Sequence, residues 1–294
     1  MTASSFESSE LAVAEQLARI AEALERLAPD PSPHLKLENG AAFTWRSTGR
    51  QAVAAPRAAL PLDLILGVDR QKSILVENTR RFAAGLPAND ALLWGSRGTG
   101  KSALIRAAHA AVAAQHPDLK LLSLPRDALG DTPALVQAVA EQPFYVILLL
   151  DDLSFEADEG LAKMLKPALD GGAGGRPRNL LVYATSNRRH LLARSIDENN
   201  PNDLRASETA EERIALSDRF GLWLGFHPFD QNEFLAIVHA YAARLKLPLY
   251  SADLDARAIE WAQTRGARSG RVARQFILDL AGEAGVPFDL EDAD

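Results

Sequence analysis

An α/β fold built on a largely parallel sheet, followed by a smaller all-helical unit, is predicted by three observations. Short apolar runs at 91–94, 144–150 and 179–187 alternate with helical patterns, as expected of strands buried on both faces of a parallel sheet. The first run empties into Gly95-Ser96-Arg97-Gly98-Thr99-Gly100-Lys101-Ser102, which satisfies G-x-x-x-x-G-K-[ST] at every fixed position and continues into an alanine-rich helix. After Pro228 only helix patterns remain, which marks a second unit. The expected division is 1–59 as an N-terminal helix and hairpin, 60–228 as a nucleotide-binding α/β domain, and 229–294 as a small helical lid.

Composition fits this class. The chain has 294 residues, 47% hydrophobic and 24% charged, enough to bury a core without a metal or disulfide staple. It has no cysteine, which excludes disulfides, thiolate catalysis and cysteine-ligated zinc. None of the six histidines stands at metal-ligand spacing. The start lacks a basic region followed by an apolar run, and no stretch reaches about 18 uninterrupted apolar residues, so a cytoplasmic location without membrane contact is expected. A net charge of −7 argues against a whole-surface footprint for nucleic acid but permits a local basic patch.

Taken in order, residues 8–28 place Leu11, Ala14, Leu17, Ala21 and Leu24 near one helical face, and Pro29, Pro31 and Pro33 end the helix. Asn39-Gly40 between 34–38 and 42–46 is the best short hairpin signal. Residues 56–61 read as a linker, 72–84 as an amphipathic helix, 119–124 as a second short strand, and Asp131-Thr132-Pro133 as a helix start with Asp131 or Thr132 as N-cap. A helix over 155–169 ends in the flexible turn 170–175. The polar, acidic stretch 196–212 reads as a mobile insertion. Three helices are expected over 231–246, 254–264 and 271–281, then an acidic tail.

The chemistry concentrates around the glycine-rich loop. Gly95, Gly98 and Gly100 let the backbone curl so that the amides of Ser96, Arg97, Thr99 and Ala103 and their neighbours point at phosphate oxygens, at the positive end of the following helix. Lys101 would neutralise the β- and γ-phosphates, and the Ser102 hydroxyl would ligate Mg2+. The run 144–150 ends in Asp151-Asp152, where open α/β sheets bind ligands. Asp151 would hold the Mg2+ shell through water, and Asp152 would orient the attacking water. Asn187, at the tip of the next buried run, would position that water. A guanine reader is lacking, since Asn187 is followed by Arg-Arg-His, and there is no Leu-Ser-Gly-Gly transporter motif or G-x-S-x-G elbow, so ATP is preferred to GTP.

Together these elements resemble an AAA+ ATPase, and more closely a bacterial AAA+ family known by a domain-of-unknown-function label, over residues 34–290. The resemblance rests on Gly67-Val-Asp-Arg-Gln, Leu150-Asp-Asp-Leu-Ser-Phe, Thr185-Ser-Asn-Arg-Arg-His, Ser217-Asp-Arg-Phe-Gly-Leu and Ser269-Gly-Arg-Val-Ala-Arg-Gln-Phe. It implies that Asn187 is sensor 1, that Arg219 is an arginine finger for a neighbouring subunit's nucleotide, with Arg213 as rival, and that Arg271 is sensor 2, with Arg274 as rival. Gly67 to Arg70 would approach the adenine. The family's usual Walker B pair is Asp-Glu, whereas the second acid here is Asp152. A shift of about 1 Å can lower a rate on the order of a hundredfold, so slow turnover is expected, with Glu156 a weaker substitute.

The function expected is ATP and Mg2+ binding and slow ATP hydrolysis by a homo-oligomer assembled with nucleotide, acting on an unidentified protein client. Two readings stand beside it: an ATP-gated binding module with negligible turnover, and a nucleic-acid loader using Arg188, Arg189 and the series Arg265, Arg268, Arg271 and Arg274.

Overall fold

The computed structural model describes residues 35–55, 59–153, 161–171, 175–187, 218–247 and 251–291, with Gln16 and Arg19. Of the helix expected over 8–28 only those last two residues are described, both helical. The expected insertion at 196–212, Arg188, Arg189, Arg213 and Glu156 lie outside the described residues.

Among the described residues seven strands form one sheet: β1 (Ala42–Arg46), β2 (Gln51–Ala54), β3 (Ala91–Gly95), β4 (Leu119–Leu124), β5 (Tyr145–Leu150), β6 (Leu180–Ser186) and β7 (Leu222–Phe226). Their spatial order is β2-β1-β4-β5-β6-β3-β7, and every pairing is parallel except β1 with β2. Beyond Gln16 and Arg19, the α-helices among the described residues are α1 (Asp69–Ala83), α2 (Lys101–Ala113), α3 (Thr132–Ala140), α4 (Leu161–Leu169), α5 (Gln231–Arg244), α6 (Ser251–Thr264) and α7 (Gly270–Glu283).

The apolar runs form strands because both faces of the sheet are covered. Along β5, Ile147 and Leu149 enter the core shared with α1, α2 and the C-terminal helices, while Val146, Leu148 and Leu150 enter the core shared with α3 and α4. Burying one such side chain stabilises the fold by about 1.5–3 kcal/mol, and no solvated face remains to impose alternation. The Tyr183 hydroxyl joins sheet to helix, within 2.9 Å of Thr79 Oγ1 and accepting from Asn78 Nδ2 at 3.0 Å. Burial pushes that phenol up to about 12, so it stays neutral. Helix α5 begins in a capping box, Asp230 Oδ1 accepting from Glu233 N and Glu233 Oε2 from Asp230 N, both at 2.8 Å.

One local expectation is corrected. No hairpin forms across Asn39-Gly40: Leu35, Lys36 and Leu37 are not in a strand, and Leu35 and Leu37 are buried in the second core. Gly40 lacks the positive φ that such a turn needs. The hairpin is instead β1–β2, turning through Gly49 at φ 78° and Arg50 at φ 44°, and β1 docks in parallel on β4, which makes it part of the central sheet. Asp131 stands at the N-cap position of α3, one of the two residues expected there, but its side chain makes no cap bond. Its carboxylate accepts from Trp45 Nε1 at 2.8 Å, a buried indole that needs an acceptor.

Strand order positions the site. From β3 the chain crosses to β4 and returns through β5 and β6, which lies against β3. The C-terminal ends of β3, β6 and β5 therefore stand side by side, with Trp94 level with Ser186 and Leu150 level with Ala184.

Candidate functional site: a phosphate-loop cavity

Those three strand ends open into a cavity of about 560 Å3. Its floor is the loop from Gly98 to Ala103, its acidic wall is Asp151, Asp152, Thr185 and Asn187, and its far wall is Arg271 and Arg274 of α7. An apolar flank is supplied by Leu60, Leu64, Ile65 and Leu66 on one side and Ile237 and Tyr241 of α5 on the other, a slot suited to a planar base. The flank comes from the residues just before Gly67, not from the Gly67 to Arg70 stretch. Gly67 itself lies against the Phe229 ring.

Within the loop, Gly98 has φ 75°, and a Cβ there would come 2.8 Å from Ser269 Oγ. Only glycine lets the start of α7 seat on the loop in this way. Ser269 caps that helix, its hydroxyl accepting from Val272 N at 3.2 Å. Lys101 is 6% exposed, and its Nζ donates to Gly95 O at 3.0 Å and Ser96 O at 2.7 Å. Burial depresses its amine to about 8, against the opposing pull of Asp152 and Asp151.

The acids form one hydrogen-bonded chain. Ser102 Oγ donates to Asp151 Oδ1, and Thr185 Oγ1 donates to the same oxygen at 2.7 Å. The Asp152 amide donates to Thr185 Oγ1 at 2.8 Å, and Asn187 Nδ2 donates to Asp152 Oδ1. Arg106 Nη2 stands 3.5 Å from Asp151 Oδ2. A serine hydroxyl touching a half-exposed carboxylate is an all-oxygen donor set, the chemistry that suits Mg2+.

Of the residues singled out in the sequence, the fold brings Gly98, Thr99, Gly100, Lys101, Ser102, Ala103, Asp151, Asp152, Asn187, Arg271 and Arg274 to this cavity. Gly95 lies behind it, packed on the Phe226 backbone. Ser96 and Arg97 line a neighbouring cavity of about 460 Å3 with Arg268 and Ser269. Arg219 is elsewhere: it precedes β7, whose Leu222 pairs with Ala91 at the start of β3, and its Nε donates to both Asp170 oxygens at 2.6 and 2.7 Å.

The arginine series of 265–274 is not one basic stripe. Arg265 lies 3.5 Å over the Trp261 ring, and Arg274 donates to Glu291 Oε1 at 3.0 Å and lies over Phe288. Sequence reasoning quoted Thr185 within a motif but gave it no role, and it did not single out Arg106 or the Leu60–Leu66 flank. The one available signal was Arg106, four residues after Ser102 and so on the same helical face. Among the described residues no cluster of three or more His, Asp or Glu is built to hold a metal, and no helix is long and apolar enough to cross a membrane.

The sequence matches a family profile described as a protein of unknown function (DUF815) over residues 38–284. No curated protein matches it. Among solved structures it is similar to the FIGL-1 AAA domain in complex with ADP, with 21% identity, 78% of this chain and 75% of that chain covered, and a TM-score of 0.50. It is also similar to the RuvB Holliday junction branch migration motor of Thermotoga maritima, at 15% identity over 77% and 72% of the two chains and a TM-score of 0.47. PCH-2 of C. elegans matches at 13% identity over 76% and 72%, with a TM-score of 0.43. The chain belongs to the DUF815 family of proteins of unknown function, and its fold is that of the AAA+ P-loop ATPases.

Proposed function

We propose that this protein binds ATP with Mg2+ in the phosphate-loop cavity and hydrolyses it slowly, as a homo-oligomer that acts on a protein client. The observation that carries the reading is the continuous chain Ser102–Asp151–Thr185–Asp152–Asn187, which faces the same cavity as the loop and the α7 arginines. Bound Mg2+ would supply charge neutralisation between the terminal phosphates. The chain's own groups do the rest. The loop amides and Lys101 hold the phosphates, Ser102 and Asp151 hold the metal, and Asp152, steadied by Asn187, orients the attacking water.

The functional division is residues 60–228 as the nucleotide domain and 229–294 as the lid. Arg271 is the lid residue that reads the nucleotide, since Arg274 is held by Glu291. Arg219, remote from its own cavity, serves the nucleotide of a neighbouring copy. The test is the ATPase rate and oligomeric mass of one sample across protein concentration, with and without Mg2+. A specific activity that rises with assembly and disappears in Lys101→Ala is expected. Specific activity that stays constant while the mass falls to that of a monomer would count against a shared site.

A second reading, an ATP-gated binding module, is favoured by one feature: the short Asp152 carboxylate is already engaged by Asn187. An Asp152→Asn variant that keeps its partners and ATP affinity but loses turnover supports the enzyme. No turnover in the wild type at any concentration supports the gate.

A further inference from the structure

Asp152 is one of three non-glycine residues among those described with a left-handed backbone, at φ 56°. That conformation is uncommon for side chains other than those of Asn, Asp and His, whose short polar tips bond locally. It arises immediately after β5, where the chain must turn away from the sheet. Two bonds from one residue of β6 hold the turn: the Asp152 amide donates to Thr185 Oγ1 at 2.8 Å, and the next amide, Leu153 N, donates to Thr185 O at 2.8 Å. Thr185 is 2% exposed, and its hydroxyl proton goes to Asp151 Oδ1 at 2.7 Å. A single buried hydroxyl thus accepts from the backbone of one acid and donates to the side chain of the other.

We propose that Thr185 is a positioning residue for both acids and that position 152 is selective for aspartate because Thr185 holds it left-handed. The inference rests on the ATPase reading. Turning the backbone re-aims the Cα–Cβ bond, so the carboxylate is placed by the main chain as well as by side-chain length. A glutamate would reach further but fits that backbone less well. Valine at 185 keeps the shape and removes both side-chain bonds. It leaves the Asp152 amide without its acceptor and takes from Asp151 Oδ1 one of its two hydroxyl donors, Ser102 Oγ being the other.

The test compares Thr185→Val, Thr185→Ser and Asp152→Glu for ATP turnover, for ATP binding with and without Mg2+, and for thermal melting. Thr185→Val is expected to lower kcat by about tenfold or more, with Mg2+-free ATP affinity within about threefold, and to shrink the affinity gained on adding Mg2+. Thr185→Ser loses a buried methyl and melts lower, yet recovers most of the rate and of the Mg2+ effect. Asp152→Glu is no faster than the wild type.

Three results would overturn the proposal: Thr185→Val matching the wild type in kcat and Mg2+ effect, Thr185→Ser as slow as Thr185→Val, or Asp152→Glu faster than the wild type. A wild type that binds ATP with Mg2+ but never turns over ends the hydrolysis reading alone, because the Mg2+ effect in the two Thr185 variants still decides the role of the hydroxyl toward Asp151. A wild type that binds no ATP ends both.

Discussion

The Lys101 side chain is buried at the cavity floor, its amine donating to two carbonyl acceptors, Gly95 O and Ser96 O. Burial is the largest influence on it and lowers it to about 8, the nearby Asp152 and Asp151 offsetting only part of that. Without nucleotide, then, a substantial fraction is neutral at pH 8. Anionic phosphates would favour the ammonium form and raise its pKa on binding. The sign follows: below about 8 the amine is charged in both states and affinity is full, and above it binding must take up a proton. ATP affinity is therefore expected to fall by up to about tenfold per pH unit above 8 until the bound-state pKa is reached. Titration calorimetry in two buffers of different ionisation heat reads the proton uptake directly. Binding at pH 9 without proton uptake would show that Lys101 does not change its charge.

At the scale of elements, Arg176 fastens three pieces at the strand starts, the end of the sheet away from the phosphate loop. Its guanidinium grips both Asp90 oxygens at 2.5 Å and also donates to Leu169 O at 3.4 Å and Leu180 O at 3.2 Å, joining the end of α4 and the starts of β6 and β3. Asp90 also accepts from Val182 N at 2.7 Å. Its carboxyl is pushed up by burial against the pull of Arg176. Removing one partner leaves a buried group uncompensated, so Arg176→Met is expected to lose about 3–5 kcal/mol in urea unfolding at neutral pH, and Asp90→Asn with Arg176→Met to regain much of it. Neither this clasp nor the hairpin was legible in the sequence, for related reasons. Asp90 and Arg176 become neighbours only through the β3–β6 pairing. The β1–β2 turn uses Arg50 in a left-handed conformation that no propensity favours, while Asn39-Gly40 carried the stronger local signal and lost to burial of Leu35 and Leu37. The buried strands and the loop from Gly95 to Ser102 were legible because continuous apolar runs and a phosphate-binding loop are local patterns. Asp151, Asp152 and Asn187 were legible as strand tips. Thr185 was not, because its part depends on β6 lying beside β5.

At the scale of the whole molecule, the sheet separates Arg219 from the cavity of its own chain. All strands from β4 to β7 run the same way, so a residue just before β7 lies at the edge opposite the phosphate loop, roughly a strand length or 15 Å from the strand tips. Within one chain Arg219 is paired with Asp170, each side chain about one-third exposed, so it is at the surface and neutralised. Reaching a nucleotide requires a second copy placed head to tail, a heterologous contact that closes into a ring or extends as a filament. An arginine supplied in this way is worth about 10³-fold or more in rate, so Arg219→Ala is expected to assemble and bind ATP but lose most turnover, as Asp152→Asn should for the opposite reason. The informative experiment mixes the two inactive variants. In a randomly mixed assembly about one site in four pairs an intact Asp152 with an intact Arg219 from the neighbour, because a heterologous interface draws its halves from different copies. A 1:1 mixture is therefore expected to recover up to about a quarter of wild-type activity, declining on either side of that ratio. If both variants assemble to the wild-type mass and no mixture regains activity, Arg219 does not act across the interface, and its bond to Asp170 is a structural tie between α4 and β7.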